Sequence, residues 1–100
     1  MKNKANVVVI GGGVVGCSIA YNLALQGISD VVLIEKSFLA SGSTGRCGAG
    51  VRQQWGTKMN CLLAQKSMEI LENMNDILHT KRDIELKQKG YLLLAYTEKK

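Results

Sequence analysis

The 100-residue sequence contains no proline, one histidine (His79) and only five aromatic residues. Its three cysteines are Cys17, Cys47 and Cys61, and their separations of 30 and 14 positions fit neither a C-x-x-C pair nor a disulfide framework. One histidine without clustered carboxylates leaves a zinc site or a catalytic triad incomplete, so we predict no metal site. The sparse, odd-numbered cysteines favour a cytoplasmic protein.

Long hydrophobic runs are also absent, because no apolar stretch approaches the ~20 residues that a membrane-spanning helix needs. Lys and Arg number 13 against 8 Asp and Glu, which gives a net charge of +5. Since the few aromatic residues do not interleave with the basic ones, we expect a solvated face and no nucleic-acid partner. The hydrophobic fraction of 46% is typical of a packed globular domain.

The N-terminal third of the chain predicts one strand–turn–helix–strand unit. Val7–Ile10 is an apolar, β-branched run without polar alternation, which indicates a strand buried on both faces of a parallel sheet. A helical stretch follows, and Gly27 is expected to end it. A second buried run, residues 31–34, leads directly into Glu35.

The turn between the first strand and the helix reads GGGVVG and matches the G-x-G-x-x-G pattern of dinucleotide-binding units. Gly11 permits a tight turn, Gly13 lets a pyrophosphate approach the backbone, and Gly16 lets helix and strand pack closely. The unpaired N–H groups and the positive dipole end of the helix would then stabilise the phosphates.

Glu35 follows Gly16 by 19 positions, and an acid at this spacing ends the second strand of such units. Its carboxylate would accept hydrogen bonds from both hydroxyls of an adenosine ribose and would repel a 2′-phosphate, which argues against NADP. The motif alone leaves NAD and FAD open. A glycine-rich turn in an ordinary α/β protein is the alternative without a ligand.

Residues 36–56 are rich in small side chains and predict a long loop that is suited to wrapping a large polar ligand. Within the loop, residues 39–55 read LASGSTGRCGAGVRQQW. Set after the glycine turn and Glu35, this run resembles the N-terminal part of FAD-dependent amine and amino-acid oxidoreductases of the D-amino-acid oxidase family. The β subunits of sarcosine oxidase and of dye-linked proline dehydrogenase are the closest in look. The resemblance is specific over residues 7–56.

The resemblance implies FAD as the cofactor and a small amine or amino acid as the substrate, of sarcosine, proline, glycine or D-amino-acid type. It further implies hydride transfer from the substrate to the flavin, and other subunits of a hetero-oligomeric dehydrogenase as partners. The implied cofactor-binding residues are Gly11, Gly13, Val14, Val15 and Gly16 at the pyrophosphate, Glu35 and Lys36 near the adenosine ribose, and Ser43, Thr44, Ala49, Gly50 and Val51 along the ribityl chain and isoalloxazine ring.

Two positions in the loop bear on the chemistry that the resemblance implies. Arg52 is a candidate for a group near the substrate or the flavin, whereas the catalytic residues themselves are not identified. Gly45 stands where relatives with covalently attached flavin have a histidine, so attachment through histidine is not supported.

The second half of the chain shows the residue periodicities of one helix and two strands. Residues 57–78 predict a long amphipathic helix, and residues 84–89 and 91–96 predict two strands. We therefore expect an α/β fold, in which a Rossmann-like βαβ FAD-binding unit with parallel strands is followed by a long loop, an amphipathic helix and the first strands of an incomplete second domain.

The expected domain boundaries are 1–56 for the FAD-binding unit, 57–80 for the helix and 81–100 for the start of a truncated substrate-domain sheet. We expect this length of chain to be an N-terminal piece that is inactive alone. Two alternatives remain open: an NAD-binding Rossmann module of a dehydrogenase, and a binding module without turnover.

Overall fold

The computed structural model describes residues 3–94 and residue 96. The chain divides into two compact units, Met1–Gly50 and Val51–Lys100. The described elements, in chain order, are β1 (Val7–Ile10), α1 (Val14–Leu25), β2 (Val31–Ile34), α2 (Ser43–Arg46), α3 (Lys58–Glu72) and α4 (Met74–Ile77). No helix among the described residues is both long and apolar enough to cross a membrane.

The first unit is the expected βαβ arrangement. β1 and β2 pair in parallel, with Val7 opposite Val31 and Ile10 opposite Ile34, and α1 packs on both strands. The helix ends at Leu25, and the left-handed φ of +85° at Gly27 turns the chain toward β2. This confirms the predicted α/β class and the glycine stop.

Burial in the strand pair is lower than the sequence predicts. Val9 is buried, but Ile10 is 85% exposed, and Val8 and Ile34 are about half exposed. Two strands with one helix against them cannot cover both faces of the sheet, so within the described residues the apolar runs remain largely open to solvent.

The second unit is built on α3. Thr57 caps this helix, because its hydroxyl accepts a hydrogen bond from the N–H of Asn60 at 3.3 Å, and Met68 is its buried side chain. The structure differs from the single predicted helix over residues 57–78. α3 stops at Glu72, and Asn73 interrupts the helix with its side-chain amide donating to the carbonyl of Glu69 at 2.7 Å.

The prediction of two strands over residues 84–89 and 91–96 is wrong, because the structure has no strand in residues 79–94. Ala95, inside the second expected strand, lies outside the described residues. A strand requires a neighbour that pairs with its N–H and C=O groups, and apolar β-branched or aromatic composition alone does not supply one. The segment is instead tied to its own unit by side chains, such as the Tyr91 hydroxyl, which donates to the carbonyl of Val51 at 3.1 Å.

Candidate dinucleotide site

The glycine turn between β1 and α1 is held from several sides. Gly11 has a φ of +107°, which only glycine adopts without strain. The buried Gly12 donates its N–H to the Glu35 carboxylate at 2.8 Å, while its carbonyl accepts from the N–H of Ala40 at 2.9 Å. Sequence reasoning missed Gly12, because the motif leaves its position unspecified. A Cβ there would lie 2.7 Å from the Leu39 side chain.

Glu35 is fixed at the end of β2 by backbone donors on both sides. One carboxylate oxygen accepts from the N–H of Gly12, and the other accepts from the N–H of Ser37 at 2.9 Å. These two bonds, the one from Gly12 foremost, hold the pKa of the Glu35 carboxyl below its ordinary value. Since a carboxylate offers about four acceptor positions, it retains lone pairs for ribose hydroxyls.

The N-terminus of α1 has the properties of an anion-binding site. Gly13 occupies the cap position with extended backbone and no side-chain cap, and the first turn has no acidic residue. The N–H groups of Val15 and Gly16 have no acceptor within the helix, as in the first turn of any α-helix. Their partial positive charge suits a phosphate, so these residues fit the pyrophosphate of a dinucleotide.

Thr44 lies at this helix terminus. Its hydroxyl oxygen accepts a hydrogen bond from the N–H of Val14 at 3.0 Å, and a Cβ built on Gly13 would be 3.0 Å from the same oxygen. The resemblance placed Thr44 along the ribityl chain and ring of the flavin. The structure adds a contact at the N-terminus of α1, between residues 30 positions apart.

The other implied site residues lie farther along the chain. Lys36 and Ser43 are exposed, as are Ala49 and Gly50 at the end of the first unit. Val51 belongs to the second unit. The cofactor-binding role of each of these residues remains a prediction.

Arg52, the candidate for a group near the substrate, also lies in the second unit. Its guanidinium stacks 4.2 Å from the centre of the Trp55 ring, and the indole N–H donates to the Arg52 carbonyl at 3.0 Å. Stacking on one face leaves the N–H groups at the edge of a guanidinium able to donate to a carboxylate. Its role near the substrate or the flavin remains a prediction.

The parallel strand pair, the glycine turn, the uncapped helix and the acid at the end of β2 define a dinucleotide-binding unit of the Rossmann type. Comparison with known proteins identifies the family within this class of dinucleotide-binding proteins. The model of the DAO family, described as FAD dependent oxidoreductase, matches residues 6–100. The chain belongs to this family. The match confirms the resemblance and the assignment of FAD, and it decides between FAD and NAD in favour of FAD.

Three proteins are similar to the chain. The chain is 38% identical over 97 residues to human mitochondrial dimethylglycine dehydrogenase and 30% identical over 98 residues to sarcosine oxidase subunit beta of Rhodobacter capsulatus. These matches cover 96% and 97% of the chain but only 11% and 23% of the two relatives. A third, the mouse mitochondrial pyruvate dehydrogenase phosphatase regulatory subunit, is 50% identical over 48 residues, which is 48% of this chain and 5% of that protein. No solved structure matches the chain.

Proposed function

We propose that the chain is the FAD-binding N-terminal portion of an oxidoreductase that oxidises amines or amino acids at a CH–NH group. The observation that carries the proposal is the N-terminus of α1, where Gly13 provides no side-chain cap and the N–H groups of Val15 and Gly16 have no acceptor within the helix, with Glu35 fixed at the end of β2. FAD supplies the oxidising chemistry by accepting a hydride from the carbon that bears the amine nitrogen, and the resulting imine is hydrolysed.

In this proposal, the residues of the first unit bind and orient the ADP half of the cofactor. The N–H groups of Val15 and Gly16 donate to the pyrophosphate, and Glu35 accepts from the adenosine ribose with the lone pairs that Gly12 and Ser37 leave free. No cationic side chain is required at the pyrophosphate, because the helix terminus provides the positive potential.

The remaining assignments concern the flavin half and the substrate. Ser43, Thr44, Ala49, Gly50 and Val51 line the ribityl chain and ring, with Lys36 beside the ribose. Arg52 takes a position near a substrate carboxylate or the flavin, for which the stack on Trp55 keeps its guanidinium oriented. Relatives named for dimethylglycine and sarcosine support an N-methyl amino acid as the substrate.

The partner and compartment assignments are coarser. A relative named as a subunit supports additional subunits as partners in the whole enzyme. The cysteine pattern favours the cytoplasm, whereas two of the relatives carry a mitochondrial designation. Immunolocalisation of the whole protein separates these two compartments.

The proposed adenosine contact is tested by comparing FAD with riboflavin, which lacks the ADP half. We expect Glu35→Gln to weaken FAD binding about ten-fold or more, because it loses hydrogen bonds to a charged acceptor, and to leave riboflavin affinity unchanged. Quenching of flavin fluorescence measures both affinities. Glu69→Gln is the matched control, since Glu69 pairs with Lys66 on the exposed surface of α3. Equal weakening of both flavins would show that Glu35 supports the fold only.

A second candidate function is a flavin-binding module without turnover. The identity to a regulatory subunit over 48 residues favours it, because that protein is named for regulation and not for oxidation. Turnover of sarcosine, proline, glycine or D-amino acids by the whole protein, with an artificial electron acceptor, would exclude this candidate. FAD binding without turnover of any of these substrates would support it.

A further inference from the structure

The Val14 N–H is the first backbone donor of α1, and a pyrophosphate at this helix terminus would compete for it. In the structure this donor is engaged by the hydroxyl of Thr44 at 3.0 Å. We propose that Thr44 is a latch: its hydroxyl closes the loop of residues 36–46 over the glycine turn, and the pyrophosphate of FAD enters by displacing it from Val14. This inference rests on the proposed function, because it describes how access to the same site is regulated.

The path of the loop supports a closed arrangement. The N–H of Ala40 donates to the carbonyl of Gly12, and the N–H of Gly45 donates to the carbonyl of Ala40, each at 2.9 Å. Gly45 allows this approach, since a Cβ there would overlap the Ala40 carbonyl oxygen. Ala40 has a φ of +62°, a left-handed conformation that is unfavourable for alanine and that these hydrogen bonds maintain. The loop therefore meets the turn at two points, through Ala40 and through Thr44.

The space around Gly13 shows what else the same Thr44 oxygen borders. A Cβ on Gly13 would come within 3.0 Å of the Thr44 hydroxyl oxygen, so this oxygen borders the volume that the missing side chain leaves open. In dinucleotide-binding turns, the same volume lets the pyrophosphate reach the backbone. The Thr44 hydroxyl and a phosphate oxygen thus compete both for a donor and for space.

The latch makes a specific kinetic prediction. Thr44→Val retains the β-branched shape but removes the acceptor, so the loop opens more often and the Val14 donor becomes accessible. If the bond has the net strength of an ordinary hydrogen bond, the association rate constant of FAD rises roughly three- to ten-fold. Thr44→Ser retains the hydroxyl and should associate at a rate close to that of the unmodified chain.

Stopped-flow quenching of FAD fluorescence with the whole protein that contains this chain measures the association and dissociation rate constants. Amide hydrogen exchange at Val14 without FAD provides a second readout, and it should accelerate in Thr44→Val. The matched control is Thr57→Val, which removes the same kind of hydroxyl acceptor from the N-terminus of α3. Thr44→Ala provides the same test if the valine variant does not fold.

Faster association of FAD together with faster exchange at Val14 supports the latch. An unchanged or slower association rate overturns it, as does a change in the dissociation rate alone, which would make Thr44 a direct phosphate ligand. If the whole protein binds no FAD, the proposed function fails and the latch fails with it. FAD binding with normal kinetics in Thr44→Val defeats the latch alone.

Discussion

At the scale of single residues, the candidate site depends on backbone donors more than on charged side chains. Val15 and Gly16 at the helix terminus and Gly12 in the turn all contribute N–H groups. Among the described residues, the charged side chain that bonds to the turn is Glu35, and it accepts from the N–H groups of Gly12 and Ser37. Substitutions that change backbone access should therefore have larger effects on cofactor binding than substitutions of surface charge.

Gly13 is the residue at which an added side chain acts most directly on this access. Its Cβ would lie 3.0 Å from Thr44 Oγ1, and the isopropyl group of Gly13→Val would fill the path of the pyrophosphate. We expect the variant to lose FAD binding, measured by fluorescence quenching. Gly42→Val is the control, because a Cβ on Gly42 meets no atom within 4 Å. Unchanged FAD affinity of Gly13→Val would refute the phosphate site.

Glu35 should make the stability of the folded chain depend on pH. Because the N–H groups of Gly12 and Ser37 lower the pKa of Glu35, the folded chain binds fewer protons than the unfolded chain in the acidic range. The resulting stabilisation is present above the ordinary pKa of a glutamate carboxyl and is lost as the pH falls through the lowered folded pKa. Glu35→Gln should thus lower Tm at pH 7, and this difference should shrink on acidification. A Tm difference that is independent of pH would contradict the assignment.

At the scale of elements, apolar and glycine patterns predict the first helix and strands, whereas hydrogen bonds made by side chains are not predicted, whether their partners are near or far in the sequence. β1, α1 and β2 follow from apolar runs and glycine positions within one stretch of chain. The interruption at Asn73 was missed, because side-chain bonding to the Glu69 carbonyl is invisible in a periodicity of apolar residues. The contact between Val14 and Thr44 was also missed, because no spacing rule relates a helix terminus to a loop 30 residues away.

The packing of α1 against the turn that follows β1 depends on Gly16. A Cβ there would overlap the carbonyl oxygen of Gly11, which is a backbone atom and cannot rotate away. We expect Gly16→Ala to destabilise the first unit by about 1–3 kcal/mol, the usual range for overpacking, although alanine is the better helix former. Chemical denaturation followed by circular dichroism measures the change. Gly48→Ala is a control in open space, and equal stability of the two variants would argue against close packing at Gly16.

At the scale of the whole molecule, the family and the cofactor could be predicted from the sequence, whereas the surroundings of the flavin ring could not. The glycine turn and Glu35 are defined by local spacing, so their arrangement follows from the sequence. Ala49 and Gly50 end one unit, and Val51 and Arg52 begin the next. Contacts of such residues with a ring depend on the packing of segments far apart in sequence, and local patterns contain no information on that packing.

The exposed apolar side chains of the second unit lead to a prediction about association. Leu92, Leu93 and Leu94 are 86%, 77% and 73% exposed in one continuous segment that pairs with no strand among the described residues. Contiguous apolar surface and free backbone groups favour contact between copies of a chain, so we expect concentration-dependent association of the chain in sedimentation velocity experiments. Introducing Leu92→Lys with Leu94→Lys should reduce it by adding charge to the segment.

The matched control adds the same charge at two separated helical leucines, Leu25→Lys with Leu63→Lys, which are 66% and 61% exposed. If the control reduces association as strongly as the paired substitution in the segment, net charge is the cause and the leucine segment is not the contact surface. A monomer at all concentrations would contradict the prediction outright. Association that only the substitutions at Leu92 and Leu94 abolish would locate the contact in this segment, because the two double variants carry the same net charge.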